Sequence, residues 1–285
     1  NHPQSTARCG ETVNRCLPVF ILALISLFTG PAFAQTEIST VMDWSNGRFE
    51  VSAHRPLAPG MSPDDHPRAL RLIENELWPL VESEIGRLLW DRNGTIANLT
   101  GNGPEFLSEI RSLALSKEWS RLSLDRKFID TLYSGNLRDA IFSRFPAEGI
   151  AVLAEIPAGW IPVPEDPWTG IVIYAPSGLP VRGSNRLADP VPAFRARILS
   201  SELSVLFDPG IHGAQSLNYR TLDRGNEIDA IVGRRPYRAM ARALYGQYPC
   251  DIILSEDDTL RIMASQSGRR ALAEGQISIL LDSWP

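Results

Sequence analysis

Histidine, cysteine and clustered acidic side chains are the groups in this sequence that could do nucleophilic, acid–base or metal chemistry. Beyond residue 34 the histidines are His54, His66 and His212, and the one cysteine is Cys250. No two of the histidines have the close spacing of a zinc-binding pair, and no second thiol accompanies Cys250. We therefore expect no metal site and no cofactor.

Two further features are candidates for catalysis. Cys250 begins an apolar stretch, which indicates a buried and inert thiol rather than a nucleophile. The acidic run Glu256-Asp257-Asp258 could supply paired carboxylates for glycoside hydrolysis, but acids at this position also stabilise the N-terminus of a helix. The sequence contains neither a nucleophile elbow nor a glycine-rich phosphate loop. We predict that the protein has no catalytic residue, and His66, Cys250 and Asp257 are the positions to check.

A group of arginines is the candidate binding site. Arg234, Arg235, Arg238 and Arg242 form a local basic cluster that could bind an anionic polymer or an acidic partner. The alternative is that they form the solvated face of a helix. The whole chain has a net charge of −5, and this mild acidity predicts that nucleic acid is not a partner.

The first 34 residues have the pattern of a secretory signal peptide. Arg8 and Arg15 precede the apolar run Leu17 to Phe28, and Ala32-Phe33-Ala34 provides a small-residue cleavage site. The run of about a dozen residues is shorter than the roughly twenty that span a membrane. We expect cleavage near Ala34, a mature chain without a stable membrane span, and a periplasmic or secreted location.

The stretch Trp168 to Ala175 is the predicted centre of the fold. Its core, Ile171-Val172-Ile173-Tyr174, is β-branched and aromatic without polar alternation, which is typical of a strand that is covered on both faces. Other predicted strands are Arg48–Ala53, Trp119–Leu124, Phe128–Tyr133, Ile150–Ile156, Arg195–Leu199, Ser204–Phe207, Asp251–Leu254 and Gln276–Leu281.

Helical periodicity and capping signals predict the helices. They cover Pro67–Trp90 with a kink or break near Leu77 caused by Pro79, Pro104–Lys117, Asn136–Phe142, Tyr237–Tyr245, and a last helix that Ser255 caps and that ends at Ala264. The two final strands, which a helix connects, are predicted to lie parallel through a right-handed crossover.

These elements predict an α+β fold, in which a mixed β-sheet packs with a long N-terminal helix and several shorter helices. The proline-rich connector Pro157–Pro167 suggests a boundary between a strand–helix subdomain, residues 35–156, and an α/β subdomain, residues 157–285. One continuous domain over residues 35–285 is the alternative.

Three blocks of the sequence carry a family resemblance. They are Thr169–Ala175, then Val232–Pro236 with Ala239 and Ala241–Gly246, and finally Asp251–Asp258 with Glu274–Ile277. Together they resemble periplasmic proteins of diderm bacteria related to the LPP-type lipoproteins and to the FlgT-like flagellar assembly proteins. The resemblance implies a non-enzymatic role and envelope or flagellar proteins as partners.

The predicted function is therefore a non-catalytic structural or assembly role in the periplasm. The protein is expected to associate with the flagellum or with the cell envelope. Two alternatives stay open: a secreted hydrolase of cell-wall or polysaccharide substrates, and a periplasmic module that binds a peptide or a glycan. A hydrolase should show clustered acids, or a serine or cysteine beside a histidine, in a deep pocket. A binding module should show an aromatic groove, and an assembly protein should show a broad patch or an exposed strand edge.

Overall fold

A computed structural model describes residues 36–57, 65–99, 103–125, 127–145, 167–212, 217–223 and 228–284. These ranges lie in a single compact unit that extends from Ala34 to Pro285. Among the described residues no helix has both the length and the apolar character that are needed to cross a membrane.

The N-terminal half combines antiparallel strands with helices. Its elements are β1 (Glu37–Asp43), β2 (Arg48–Pro56), α1 (His66–Arg87), β3 (Leu89–Asp91), β4 (Gly94–Thr95), α2 (Ile96–Leu99), α3 (Gly103–Ala114), β5 (Ser116–Leu122), β6 (Phe128–Asn136) and α4 (Leu137–Arg144). The strands β1, β2, β6 and β5 form, in that spatial order, an antiparallel sheet. We call it the N-terminal sheet.

The C-terminal half contains two more four-stranded sheets. Its elements are β7 (Ile171–Ala175), β8 (Leu179–Pro180), β9 (Leu187–Ala188), β10 (Ile198–Leu199), β11 (Val205–Phe207), α5 (Pro209–His212), β12 (Asn218–Thr221), α6 (Asp229–Val232), β13 (Tyr237–Met240), β14 (Ala243–Tyr245), β15 (Asp251–Ile253), α7 (Glu256–Ala264), α8 (Gln266–Ala273) and β16 (Ile277–Leu281). One sheet, ordered β12-β16-β7-β13, is parallel throughout. The other, ordered β11-β10-β15-β14, is mixed.

The predicted α+β class is confirmed, although the described residues form three four-stranded sheets and not a single mixed one. Helix α1 covers most of the segment predicted to be helical and continues without a break through Pro79. Its buried positions, which include Leu77 and Val81 on either side of that proline, stay on one face against the N-terminal sheet. Of the two predicted outcomes at Pro79, the break near Leu77 is therefore wrong, whereas the kink stays a prediction.

Strand β7 is an interior strand, as its unbroken apolar sequence predicts. It pairs with β16 on one side and β13 on the other, and Ile171, Val172, Ile173 and Ala175 are all buried. The capped helix is also confirmed, because the Ser255 hydroxyl accepts a hydrogen bond from the Asp258 N–H at the start of α7.

The predicted helix Tyr237–Tyr245 is wrong, because this segment forms β13 and β14. The N–H groups of Tyr237 and Ala241 donate to the carbonyls of Gly170 and Tyr174 in and beside β7. Small apolar residues here suit helix and strand alike, so the free edge of β7 decides the conformation through contacts that are distant in sequence.

The predicted parallel crossover between the two last strands is also wrong. Strand β15 lies in the mixed sheet and β16 in the parallel sheet. Helices α7 and α8 therefore connect two different sheets and do not return the chain to the same one.

The two halves share a continuous apolar core. Trp44 packs against Phe194 and Tyr219 with ring centroids 4.9 and 6.1 Å apart, and the Phe194 N–H donates to the Leu89 carbonyl. The predicted strand Ile150–Ile156 and nearly all of the connector Pro157–Pro167 lie outside the described residues, so the subdomain boundary stays a prediction.

Candidate functional site

Among the described residues, helices cover one face of the N-terminal sheet and leave the other open to solvent. Along β2, the side chains of Phe49, Val51 and Ala53 are buried against the helices, while those of the alternate residues are exposed or half-buried. The register of the sheet places the following residues together on the opposite side, which we call the open face: Glu37, Ser39 and Val41 of β1, Arg48, Glu50, Ser52 and His54 of β2, Asp130 and Leu132 of β6, and Trp119 and Arg121 of β5.

A row of ionisable side chains crosses the open face. Glu37 is paired in register with His54, His54 with Asp130, and Asp130 with Arg121, so that the row reads acid, histidine, acid, base. A hydrogen bond of 2.7 Å joins His54 Nδ1 to Asp130 Oδ1, and the imidazole stacks on the ring of Phe128. These contacts hold His54 in a fixed orientation on the surface of the sheet.

Aromatic and apolar side chains flank this row. The guanidinium of Arg121 lies 4.2 Å from the centre of the Trp119 ring, and the Trp119 side chain is 38% exposed. Val41 on β1 is 58% exposed. An exposed tryptophan that an arginine holds in place is a frequent anchor in protein recognition.

Two shallow grooves lie along this sheet. One has a volume of about 430 Å³ and is lined by residues that include Ser39, Ser52, His54 and Trp119. The other has a volume of about 590 Å³ and lies at the far end of β1, beside Trp284 near the C-terminus. Both grooves are open to solvent, so they suit an extended partner better than an enclosed small molecule.

The His54–Asp130 pair has the composition of part of a catalytic triad, but the described contacts do not complete one. A nucleophile must lie within about 3 Å of the histidine that activates it. Ser52 is two residues from His54 on the same strand, and no hydrogen bond between their side chains occurs in the described structure. The flat surface also leaves the pair in contact with water. The arrangement can therefore bind charged and aromatic groups, and among the described residues no nucleophile is hydrogen-bonded to His54.

The three positions that the sequence marked for checking lie apart from this face and make no hydrogen bond to one another. His66 is at the start of α1, where its Nε2 is 3.3 Å from the Ser120 hydroxyl on the covered side of the sheet. Asp257 lies in the first turn of α7. Cys250 is buried, and burial raises the pKa of its thiol well above the usual value.

Cys250 adjoins a buried ionic cluster that fastens the mixed sheet to the N-terminal half. The Asp251 carboxylate accepts hydrogen bonds from the Arg197 N–H, Nε and Nη2 at 3.0, 3.0 and 2.7 Å, and from Arg92 Nη1 at 3.3 Å. Burial raises the pKa of Asp251 to about 6, and the charge of Arg197 limits the rise. Both oxygens of this carboxylate accept hydrogen bonds from the protein, so loss of either partner would leave an uncompensated buried charge.

The predicted basic cluster occupies an edge strand and the turn before it, not a helix face. Arg234 and Arg235 lie in the turn, Arg238 projects from β13, and Arg242 follows that strand, all four being exposed. Charged side chains on an edge strand oppose unwanted pairing with other chains. The position of Arg238 is consistent with such edge protection, and a binding role for the four arginines stays a prediction.

Sequence reasoning missed the open face as a site. His54 and Asp130 are separated by 76 positions, and only the pairing of β2 with β6 brings them together. The available signal was the alternation of polar and apolar residues in both strands, which predicts one exposed face for each strand but not their relative register.

Comparisons with known proteins find similarity in two regions. Residues 35–144 match the family described as Treponema pallidum Tp0624, N-terminal domain, and residues 170–283 match the family described as Treponema pallidum Tp0624, second domain. The chain is thus similar, in order, to two domains of one protein, and the predicted proline-rich connector falls between the matched regions. No curated protein sequence matches the chain.

Proposed function

We propose that this protein is a non-catalytic periplasmic assembly protein of the bacterial envelope, which binds another protein through the open face of its N-terminal sheet. The observation that carries the proposal is the cross-strand row Glu37, His54, Asp130 and Arg121, with the exposed Trp119 beside it. The resemblance to LPP-type and FlgT-like proteins supports the class of partner, namely an envelope or flagellar protein.

The chemistry of the open face favours protein binding. Alternating charges specify the register of a partner and tolerate water, while Trp119 and Val41 supply apolar area. The predicted signal peptide supports the location, and the N-terminal family match begins at residue 35, directly after the predicted cleavage site. Sequencing of the exported product should accordingly find Gln35 at its N-terminus, whereas an uncleaved cytosolic product would contradict export.

Site-specific photo-crosslinking in intact cells tests the binding surface. A photoreactive amino acid at Ser52, in the centre of the open face, is expected to form a covalent adduct with one defined envelope protein. The matched control places the same amino acid at Leu187, which is 70% exposed on β9 in the other half. Adducts of equal yield at both positions would contradict a specific partner on this face, and so would the absence of an adduct at both positions.

A secreted hydrolase is the second candidate, and the hydrogen bond between His54 and Asp130 is the observation that favours it. The purified mature protein should be incubated with peptidoglycan, ester and glycoside substrates. We expect no turnover above that of the solvent control. Turnover that His54→Ala abolishes, with an unchanged circular dichroism spectrum, would replace the assembly function with an enzymatic one.

A further inference from the structure

The two edges of the N-terminal sheet are built differently. Strand β5 has a bulge between Lys117 and Trp119, and Lys117 turns to the covered side towards Glu74 of α1. Bulges and inward-pointing charges are devices that prevent an edge from pairing with another chain. Strand β1, Glu-Ile-Ser-Thr-Val-Met-Asp, pairs with β2 over all seven residues without a bulge and contains no lysine, arginine or proline.

The edge of β1 is available within the described chain. Its backbone hydrogen bonds go to β2 and to the turn that follows, and no other described strand pairs with it. In an antiparallel ladder every second residue turns its N–H and C=O away from the partner strand. Strand β1 therefore presents a row of unused donors and acceptors to an incoming strand.

Apolar side chains along β1 are incompletely covered. Ile38 and Met42 pack on the core but stay half-buried. Their register partners on β2, Ala53 and Phe49, are buried. Val41 is exposed on the other side and lines the groove of about 590 Å³ next to Trp284. An added strand would remove apolar surface from water on both faces of the sheet.

The charges on β1 disfavour a second copy of the same chain as the occupant. Antiparallel self-pairing centred on Thr40 would place Glu37 opposite Asp43 of the other copy at both ends of the ladder. Like charges directly opposite each other are destabilising. The Glu37 carboxylate, moreover, makes no ion pair or hydrogen bond within the described residues, so it is available to a cation from outside.

We propose that β1 accepts an extended segment of a different polypeptide as a fifth strand. The segment has an aliphatic, β-branched centre, which covers Ile38, Val41 and Met42, and a lysine or arginine near each end, which meets Glu37 and Asp43. This inference rests on the proposed function, because it names the edge and the partner chemistry through which the open face is used.

Fluorescence anisotropy with a labelled peptide, Lys-Val-Thr-Val-Thr-Ile-Lys, tests the inference on the mature protein. We expect saturable binding that an otherwise identical peptide with terminal glutamates does not show. The peptide can be N-methylated in two phases, on its odd residues or on its even residues. One phase should abolish binding and the other should preserve it, because only one edge of the peptide forms hydrogen bonds to β1. Loss of binding in both phases, or in neither, would overturn strand addition.

Reversal of the charge at Glu37 tests whether β1 recognises the charged ends of the peptide. Glu37→Lys should weaken binding of the lysine peptide by about tenfold, because it places like charges opposite each other at one end of the ladder. The matched control is Glu202→Lys, which makes the same charge change at an exposed position in the C-terminal half. Equal weakening by both variants would overturn the placement at β1.

The outcomes separate this inference from the proposed function. A Ser52 photo-adduct in cells without peptide binding in vitro would overturn strand addition and leave the open face as the binding surface. Sedimentation of the mature protein as a dimer that Val41→Arg dissociates would overturn the choice of a foreign strand in favour of a second copy.

Discussion

The substitution Val172→Asp is the most direct test of how the C-terminal half is built. Val172 is 2% exposed and lies in β7 between two neighbouring strands. Its side chain packs with Ile228, Val232 and Leu280 in a small cluster on one face of the parallel sheet. An aspartate at this position would put a carboxylate into that cluster.

The expected cost has two parts. Loss of the buried aliphatic group accounts for about 2 kcal/mol of unfolding free energy. Burial raises the pKa of the new carboxyl, and a rise of about 3 units corresponds to about 4 kcal/mol of unfolding free energy at neutral pH. The register places Arg238 of the edge strand β13 opposite position 172, and a guanidinium there would reduce the second part. We expect a total of about 4 to 6 kcal/mol.

Ile173→Asp provides the comparison on the other face of the same strand. Ile173 is paired with the buried residues Ala239 and Ile279, neither of which can offset a charge. This variant should therefore be less stable than Val172→Asp. Val205→Asp is the control, because Val205 is 44% exposed on β11 and should change the unfolding free energy by less than about 0.5 kcal/mol.

Chemical denaturation followed by circular dichroism, at pH 5 and pH 7, measures these differences. The new carboxyl has a higher pKa in the folded state than in the unfolded state, so unfolding releases a proton between the two values. The free energy of unfolding of Val172→Asp should therefore fall, relative to the parent, as the pH rises from 5 to 7. A variant that unfolds at the denaturant concentration of the parent at both pH values would show that β7 is not an interior strand.

Three further substitutions or probes test local features. Gly135→Ala should prevent stable folding, because a Cβ at Gly135 would lie 1.6 Å from the Ala114 carbonyl oxygen, whereas Gly178→Ala, with a φ of +70° but open space around it, should cost only about 1 kcal/mol in a thermal melt. The Cys250 thiol, which is buried and has a raised pKa, should react with iodoacetamide only after denaturant is added. If the folded protein reacted as fast as an exposed thiol does, the thiol would not be buried. Asn136→Ala should lower the unfolding free energy by about 1 kcal/mol, because the Asn136 side chain accepts the Asp139 N–H and caps α4; an unchanged transition midpoint would show that this cap contributes nothing.

Local patterns predicted those elements whose conformation depends on their own residues. The recurrence of apolar residues at threes and fours predicted α1, and Ser255 followed by acids predicted the start of α7. The uninterrupted apolar run predicted β7 as an interior strand, since a strand covered on both faces needs no polar side. In each case burial and capping agree with the intrinsic preference of the segment.

Features that depend on distant partners were not predictable in this way. The segment Tyr237–Tyr245 reads equally well as helix or strand, and the edge of β7 determines the outcome. The pairing of His54 with Asp130 depends on the register between β2 and β6, and a slip of one residue would turn one of them to the covered face. The candidate site consists of such cross-strand pairs. The sequence therefore predicts which side chains of each strand are polar and exposed, but not which of them become neighbours across the strands.

The sequence nevertheless encodes which sheet stays open. Strands β7 and β16 are almost entirely buried on both faces and lie inside the C-terminal half, whereas β2 alternates between buried apolar and more exposed polar residues. On a sheet face that contacts only solvent, the alternation of apolar and polar residues along each strand should place polar side chains at every exposed position. Val41 and Trp119 break this rule on opposite edges of the open face, and neither is needed for the core because both are exposed. Together with the half-buried Leu132, they lie on a face otherwise made of charged and hydroxyl side chains, and this arrangement supports the proposed binding surface.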